Sequence, residues 1–389
     1  MSTNIHTIYL YPKDPLFFRD GRPFSMGEDT SANMLFPPMP SVFYGALRGL
    51  IAAHNGITDG ETAKKMTEGV IIHSIDLLNS KQTETGSISD EFYASVFPIP
   101  LDIIAFKSNK KQTETLQFYT KLGIDSSFFT DYQLKSSKSE KIHDLDNFLL
   151  KKTPLTTYLS NGNANFRTAT DFLDLSDYTS AESKIGIGRD KTTYTTSQGK
   201  LYRVPMLRTE AITIDRNKDN KWTNQQLCFS ISFSLPAENK LVLPNNGFVK
   251  LGADSKLVRF TSSNNQPSQI VAPKFTDSDQ FFKLYLATPA IWNGDTDFAI
   301  PNLFAAAAEL VAAAVGKAVY VGGFDMAENK PKAMQRAVPA GSVYYFKLKN
   351  AKNAAQQINE IVKNTHNKCI SDYRAHEGFG RAFIGKVNT

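Results

Sequence analysis

Cysteine is nearly absent: Cys228 and Cys369 are the only two in 389 residues. That excludes a disulfide-stapled scaffold and any zinc site built mainly from thiolates. No CxxC or HExxH pattern occurs, so no metal and no cofactor is expected. Long apolar runs are equally scarce. The most hydrophobic stretch, 303–315, is broken by Glu309 and falls short of the ~20 residues that a membrane-spanning helix needs. The opening MSTNIHTIYLYPKD lacks the basic start of a signal peptide, so a soluble, cytoplasmic protein is expected. No Ser-His-Asp arrangement and no clustered acidic motif is present. Neither sign of charge dominates, because 44 Lys and Arg face 38 Asp and Glu. The resulting +6 suits a nucleic-acid partner without requiring one.

What is present is a globular composition, 41% hydrophobic and 21% charged, in a chain long enough for two domains. Residues 5–11, 70–78, 227–235 and 256–260 alternate or cluster strong β formers and read as strands. A helix is expected from Ser41 as N-cap to Asn55-Gly56, with Phe43, Leu47, Leu50, Ile51 and His54 on one face. A short, doubtful helix falls in 241–251. After a polar linker, 263–279, the order repeats. Strands are expected at 281–287, 318–324, 343–348 and 381–387, with an Ala-rich helix at 302–315 and another at 351–364. Each half therefore reads β-α-β-β-α-β, an α+β, ferredoxin-like (RRM-like) order. The first domain is expected over 1–262 with a large insertion at about 79–226, and the second over 280–389. Within the insertion, 107–141 is polar and expected to be peripheral, while 185–205 reads as a basic hairpin or thumb.

Three motifs carry chemistry. The loop Asp14-Pro-Leu-Phe-Phe-Arg-Asp-Gly-Arg-Pro-Phe24 sets Arg19 and Arg22 among phenylalanines, a composition that suits phosphate and base contacts. The same phenylalanines also read as core, with Arg19 and Asp20 bracing a turn. The run Gly380 to Lys386 fits G-x-x-x-x-G-K, but Val387 stands where a P-loop needs Ser or Thr, and no helix follows. Nucleotide hydrolysis is therefore not expected. What remains is either a glycine-rich loop able to approach phosphates or an ordinary turn into a last strand. His54 is a formal candidate for general acid-base work, although its helix face reads as packed.

The N-terminal run, Phe36-Pro-Pro-Met-Pro40 and Gly45-Ala-Leu-Arg48 together resemble the third Cmr subunit of type III-B CRISPR effector complexes, in the RAMP superfamily. Leu284-Tyr-Leu-Ala-Thr-Pro289, Gly322-Gly-Phe324, Val338-Pro-Ala-Gly-Ser-Val343 and the terminal glycine-rich run extend the resemblance over both halves. It implies two ferredoxin-like domains and a non-catalytic, RNA-binding subunit in antiviral defence. Such a subunit holds the 5′ handle of the crRNA and docks the large polymerase/cyclase-like subunit. It also lies beside backbone RAMP subunits and meets target RNA only indirectly. Carried over, the RNA-binding candidates are Arg19, Gly21, Arg22, Phe24 and Arg48, then Gly378, Gly380, Arg381, Gly385 and Lys386. Lys184, Arg189 and Lys191 in the hairpin complete the set. The alternative from the same superfamily is a metal-independent endoribonuclease that matures guide RNA with His54 as acid or base.

Overall fold

The structure, a computed structural model, describes residues 4–19, 34–83, 94–120, 132–162, 165–215, 221–236, 240–264, 269–293, 301, 303–325 and 328–388. Along the chain run β1 (Ile5–Pro12), α1 (Pro40–His54), α2 (Gly60–Met66), β2 (Ile71–Thr83), β3 (Ala94–Pro98), β4 (Phe148–Lys151), α3 (Lys152–Asn161) and β5 (Phe172–Asp174). A hairpin follows, β6 (Ser180–Arg189) and β7 (Thr196–Arg208), then β8 (Lys221–Ser234), β9 (Asn246–Lys250) and β10 (Leu257–Ser263). The last group is β11 (Phe281–Leu286), β12 (Ala308–Ala314), β13 (Val343–Leu348), α4 (Ala354–Thr365) and β14 (Arg381–Lys386). These form two compact units. The first comprises 1–93, 176–266 and 320–335, and the second 94–175, 267–319 and 336–389. The segment 94–175, which the sequence reading assigns to an insertion in the first domain, thus packs with the second unit. Ile270 and Phe275, in the stretch read as a linker, are buried.

In the first unit the strands lie antiparallel in the order β2-β8-β1-β10-β9. Ile8 and Leu10 point to one face with Phe229, Ile231 and Phe260, and all are buried. α1 covers this face, its Phe43 ring meeting Phe229 edge-on at 5.0 Å. The helix starts one residue before the expected cap, with Pro40 in its first turn and Met39 as N-cap. Proline suits that position because its fixed φ is already helical and no N–H is lost. Ser41 is therefore inside the helix, not its cap. At the other end Asn55 donates through Nδ2 to the Ile51 carbonyl at 2.8 Å, and Gly56 turns the chain at φ 70°. His54 is exposed there rather than on the packed face.

The second unit has its strands in the order β12-β13-β11-β14. Ranked by position in the chain, the first unit reads 2-3-1-5-4 and the second 2-3-1-4, so the two agree once the edge strand β9 is set aside, and all pairs are antiparallel. One face, with Phe282, Leu284, Leu286, Tyr344, Phe346 and Ile384, packs against Ile358 and Ile361 of α4. The other, with Tyr285, Val343, Tyr345 and Phe383, packs against Leu155, Tyr158 and Leu159 of α3. Burial on both faces is why β11 reads Phe-Phe-Lys-Leu-Tyr-Leu without alternation.

Two expected helices are absent. The Ala-rich stretch at 302–315 contributes strand β12, paired with β13 and turning Ala308 and Val311 inward. Alanine favours helix, but pairing along β13 outweighs a propensity of a few tenths of a kcal/mol per residue. In 241–251 the regular element is β9, paired with β10. The polar stretch 107–141 is also more structured than its composition suggests. Asn109–Thr115 is a strand, Thr113 and Thr115 are buried, and the Thr113 amide donates to the Phe166 carbonyl at 2.9 Å.

Candidate nucleic-acid interface

Two segments of the first unit converge on one structural element, the hairpin β6–β7. Residues 13–19 reach it through a backbone bridge in which Leu16 and Leu207 exchange both hydrogen bonds at 2.8 Å. Phe17 packs with Met206, and both are buried. The aromatic pair Phe17 and Phe18 is thus core and is not available to a ligand. The turn 252–255 closes against the same loop. Its Ala253 amide donates to the Phe17 carbonyl at 3.0 Å. Gly252 sits at φ 80°, and a Cβ there would lie 2.7 Å from that carbonyl oxygen, so only glycine fits.

From this base the hairpin runs outward in regular antiparallel register, Ser180 opposite Arg208 to Ile187 opposite Leu201. Lys184 donates to Asp254 Oδ2 at 2.8 Å, which ties the hairpin to the turn. The Lys184 hydrogen bond, with Lys184 and Lys256 as nearby cations, holds the Asp254 carboxyl below its ordinary range. Arg208 pairs with Glu182 at 2.8 Å. At the tip Asp190 Oδ1 accepts from the amides of Thr192 and Thr193, both at 2.8 Å, which fixes the turn. Arg189 donates to the Tyr194 carbonyl at 3.2 Å and lies 5.6 Å from that ring. Tyr194 is 71% exposed, and Ile185, Ile187 and Lys191 are exposed as well. The hairpin therefore offers solvent a mixed surface of cations, one aromatic ring and two aliphatic side chains. Arg203, opposite Ile185 and exposed, belongs to this surface. Composition does not single it out; the hairpin register does.

The other candidates behave differently. Arg19 is exposed at the edge of the loop, bridged through its backbone to Met34. Gly21, Arg22 and Phe24 lie outside the described residues. Arg48 is half-buried and braces α1 against α2, donating to Thr67 Oγ1 at 2.6 Å and to the Lys64 carbonyl at 3.1 Å. The terminal glycine-rich run is not a loop but the buried strand β14 and the turn before it. Arg381 is 4% exposed, donates to Asn367 Oδ1 at 3.0 Å and lies 5.2 Å from the Phe383 ring. Gly378 turns the chain at φ 100°, and its carbonyl accepts from Thr288 at 2.8 Å. Gly380, at φ 72°, leaves no room for a Cβ, which would lie 2.5 Å from the Ser371 nitrogen. Gly385 lets α3 approach, since a Cβ would lie 2.9 Å from Leu159 Cδ2. Lys386 pairs with Asp279 at 3.2 Å. These glycines serve packing, and Arg381 is satisfied inside the second unit.

Residues 8–387 match the family model described as CRISPR-associated protein (Cas_Cmr3). The chain belongs to that family. Its resemblance to the third Cmr subunit, read from the N-terminal run, is thereby borne out over nearly the whole length. No curated protein matches the chain. Two solved structures are similar to this Cmr3-family protein. One is a chain of the type III-B Cmr-beta bound to cognate target RNA, seen by cryo-EM, at 16% identity and a TM-score of 0.47, covering 92% of this chain and 89% of that one. The other comes from the same assembly with cognate target RNA and AMPPnP, state 1, at 15% identity and a TM-score of 0.46, covering 96% and 93%. Among the described residues, no helix of the Cmr3-family chain is long and apolar enough to cross a membrane.

Proposed function

We propose that this chain is a non-catalytic, RNA-binding subunit of a type III-B Cmr effector complex that holds the 5′ handle of the crRNA and docks the large polymerase/cyclase-like subunit. Membership of the Cmr3 family supports the complex, and the braced, exposed hairpin β6–β7 carries the RNA contact. Lys184, Arg189, Lys191 and Arg203 on the hairpin, together with Arg19 beside its base, are the groups that meet phosphates. Each unit is read as a ferredoxin-like half. The 2-3-1-4 strand order, complete in the second unit and matched in the first once edge strand β9 is set aside, supports this, although each half keeps one helix of the usual two packed on its sheet, α1 after the first strand or α4 after the third.

Phosphate contacts release counterions, so affinity falls with salt, with a log–log slope of about 0.7 per contact for single strands. The test is a salt series of handle-RNA binding by the assembled complex carrying Arg189→Ala with Lys191→Ala. Weaker binding and a slope flattened by about one to one and a half are expected. Unchanged affinity and slope, with the complex intact, overturn the assignment. The non-catalytic reading is tested separately by incubating the protein with repeat RNA, with and without magnesium. Specific cleavage that disappears in His54→Ala would favour the ribonuclease instead.

A further inference from the structure

Lys283 lies in the middle of β11 with no exposed surface, and its surroundings form one connected cluster. Its Nζ donates to the Gly162 carbonyl at the end of α3, at 2.5 Å. The same nitrogen lies 3.3 Å from the centroid of the Tyr158 ring on α3 and 3.9 Å from Asp102 Oδ2. Asp102, also fully buried, sits in the loop after β3. Its Oδ2 accepts from the hydroxyls of Tyr158 at 2.6 Å and Tyr345 at 2.5 Å. Its Oδ1 is buried without a hydrogen-bond partner. Next along the sheet, Tyr285 donates to the Pro98 carbonyl at 2.6 Å. Every one of these polar links joins the segment 94–162 to the central strands β11 and β13 or lies within that segment.

We propose that Lys283, Asp102, Tyr158 and Tyr345 form a proton-linked latch that fastens residues 94–162 to the sheet of the second unit, and that the latch tightens when Lys283 gives up its proton. The site holds an ammonium poorly, because it offers one carbonyl, one ring face and a carboxylate oxygen already occupied by two hydroxyls. The titratable and charged groups facing Lys283 are Asp102 from the loop, Tyr158 from α3 and Tyr345 from β13. Tyr285 and, beyond it, Arg381 of β14 complete the surroundings. Burial, opposed by Asp102, lowers Lys283 to about 7. Burial pushes all three tyrosines well above 10, so their hydroxyls remain donors throughout. Lifting α3 and the 99–102 loop exposes Lys283 to water, where it titrates near 10.4. Between these two values opening takes up one proton, so the open fraction falls as pH rises and is independent of pH below the lower value.

The experiment is hydrogen exchange on the full chain, with each amide corrected for its intrinsic rate. Protection of the Tyr158 and Leu159 amides in α3 is expected to rise about tenfold per pH unit between about pH 7.5 and 9.5. The Ile358 and Ile361 amides in α4, on the opposite face of the same sheet, should show no such rise. Lys283→Met should abolish the α3 slope. A slope shared equally by α3 and α4, or one that survives in Lys283→Met, overturns the latch. If Lys283→Met does not fold, titration of the Lys283 side-chain NMR signal in the wild-type chain decides. A midpoint within about a unit of 7 supports the latch, and one near 10.4 overturns it.

Discussion

Replacing single glycines separates a packing role for the C-terminal run from an RNA-contact role. Gly385→Ala places a methyl 2.9 Å from Leu159 Cδ2, 3.2 Å from Leu159 Cα and 3.2 Å from Lys283 Cε. Leu159 and Lys283 are both fully buried, so neither can swing aside. Overpacking of this kind costs about 1–3 kcal/mol, and the entropy removed from the unfolded chain returns about 0.4–1 kcal/mol. The net is a loss of about 0–2.6 kcal/mol, centred on about 1.3 kcal/mol, or roughly 3–5 °C at the centre in the unfolding of a domain this size. Gly380→Ala should cost more. Its φ of 72° adds about 1–2 kcal/mol for a left-handed alanine, and its methyl meets the Ser371 backbone nitrogen at 2.5 Å, which cannot rotate away. Gly45→Ala is the control. It lies in the exposed interior of α1 with nothing within 4 Å of the added Cβ, and should stabilise the first unit by about 0.5–1 kcal/mol. The assay is urea unfolding of each variant in a Trp222→Phe background, which leaves buried Trp292 as the reporter of the second unit. The expected order of midpoints is Gly380→Ala below Gly385→Ala below wild type, with Gly45→Ala not lowered. If Gly380→Ala and Gly385→Ala unfold like wild type yet bind handle RNA less tightly, the packing argument fails and the contact reading returns.

Other outcomes follow from the same structure. His366 accepts from the Ile384 amide through Nδ1 at 3.1 Å and donates through Nε2 to the Ile270 carbonyl at 3.0 Å, an arrangement that requires the neutral ring. Burial lowers its pKa below 6.5 although the Ile270 carbonyl favours the protonated ring, so the unfolded chain binds the proton first and stability falls as pH drops through 6.5. The melting temperature of His366→Asn should be lower at neutral pH and lose less on acidification from about pH 7 to 5.5. Asp254→Asn removes one negative charge beside Lys184 at the hairpin base, and RNA affinity at low salt should rise while stability changes by less than about 1 kcal/mol. Replacing 107–141 by a Gly/Ser linker should lower soluble yield, because it deletes buried Thr113 and Thr115 and the strand that carries them.

β1, β8 and α1 were readable because their signals are local. Residues 227–235 alternate in composition, and the α1 apolar positions recur at helical spacing. What was not readable depended on partners distant in sequence. The Ala-rich stretch around 308 becomes a strand only because β13, some 30 residues later, offers it an edge. His54 fits a helical apolar stripe, yet the helix ends there and the side chain faces water. The family motif identified the chain correctly, because a long specific run survives where individual contacts are ambiguous.

The terminal glycines show why residue type alone misleads about a site. Glycine next to arginine and lysine fits a phosphate-binding loop, and it fits equally a strand over which another backbone passes closely. The difference lies in what surrounds the missing Cβ. At Gly385 it is the Leu159 backbone and the Lys283 stem, and at Gly380 it is the Ser371 backbone, so both positions are filled from within. Arg381, whose sequence neighbours suggested an exposed cation, is enclosed with Asn367 and Phe383 for the same reason. The hairpin gives the opposite case. Its glycines and aliphatics leave a ladder only two strands wide, yet Leu16, Gly252 and Asp254 hold its base, so the basic tip can stay exposed without the base coming loose. A rigid base with an open cationic end is the property an RNA-gripping element needs, and among the candidate segments described, it is the hairpin that has it.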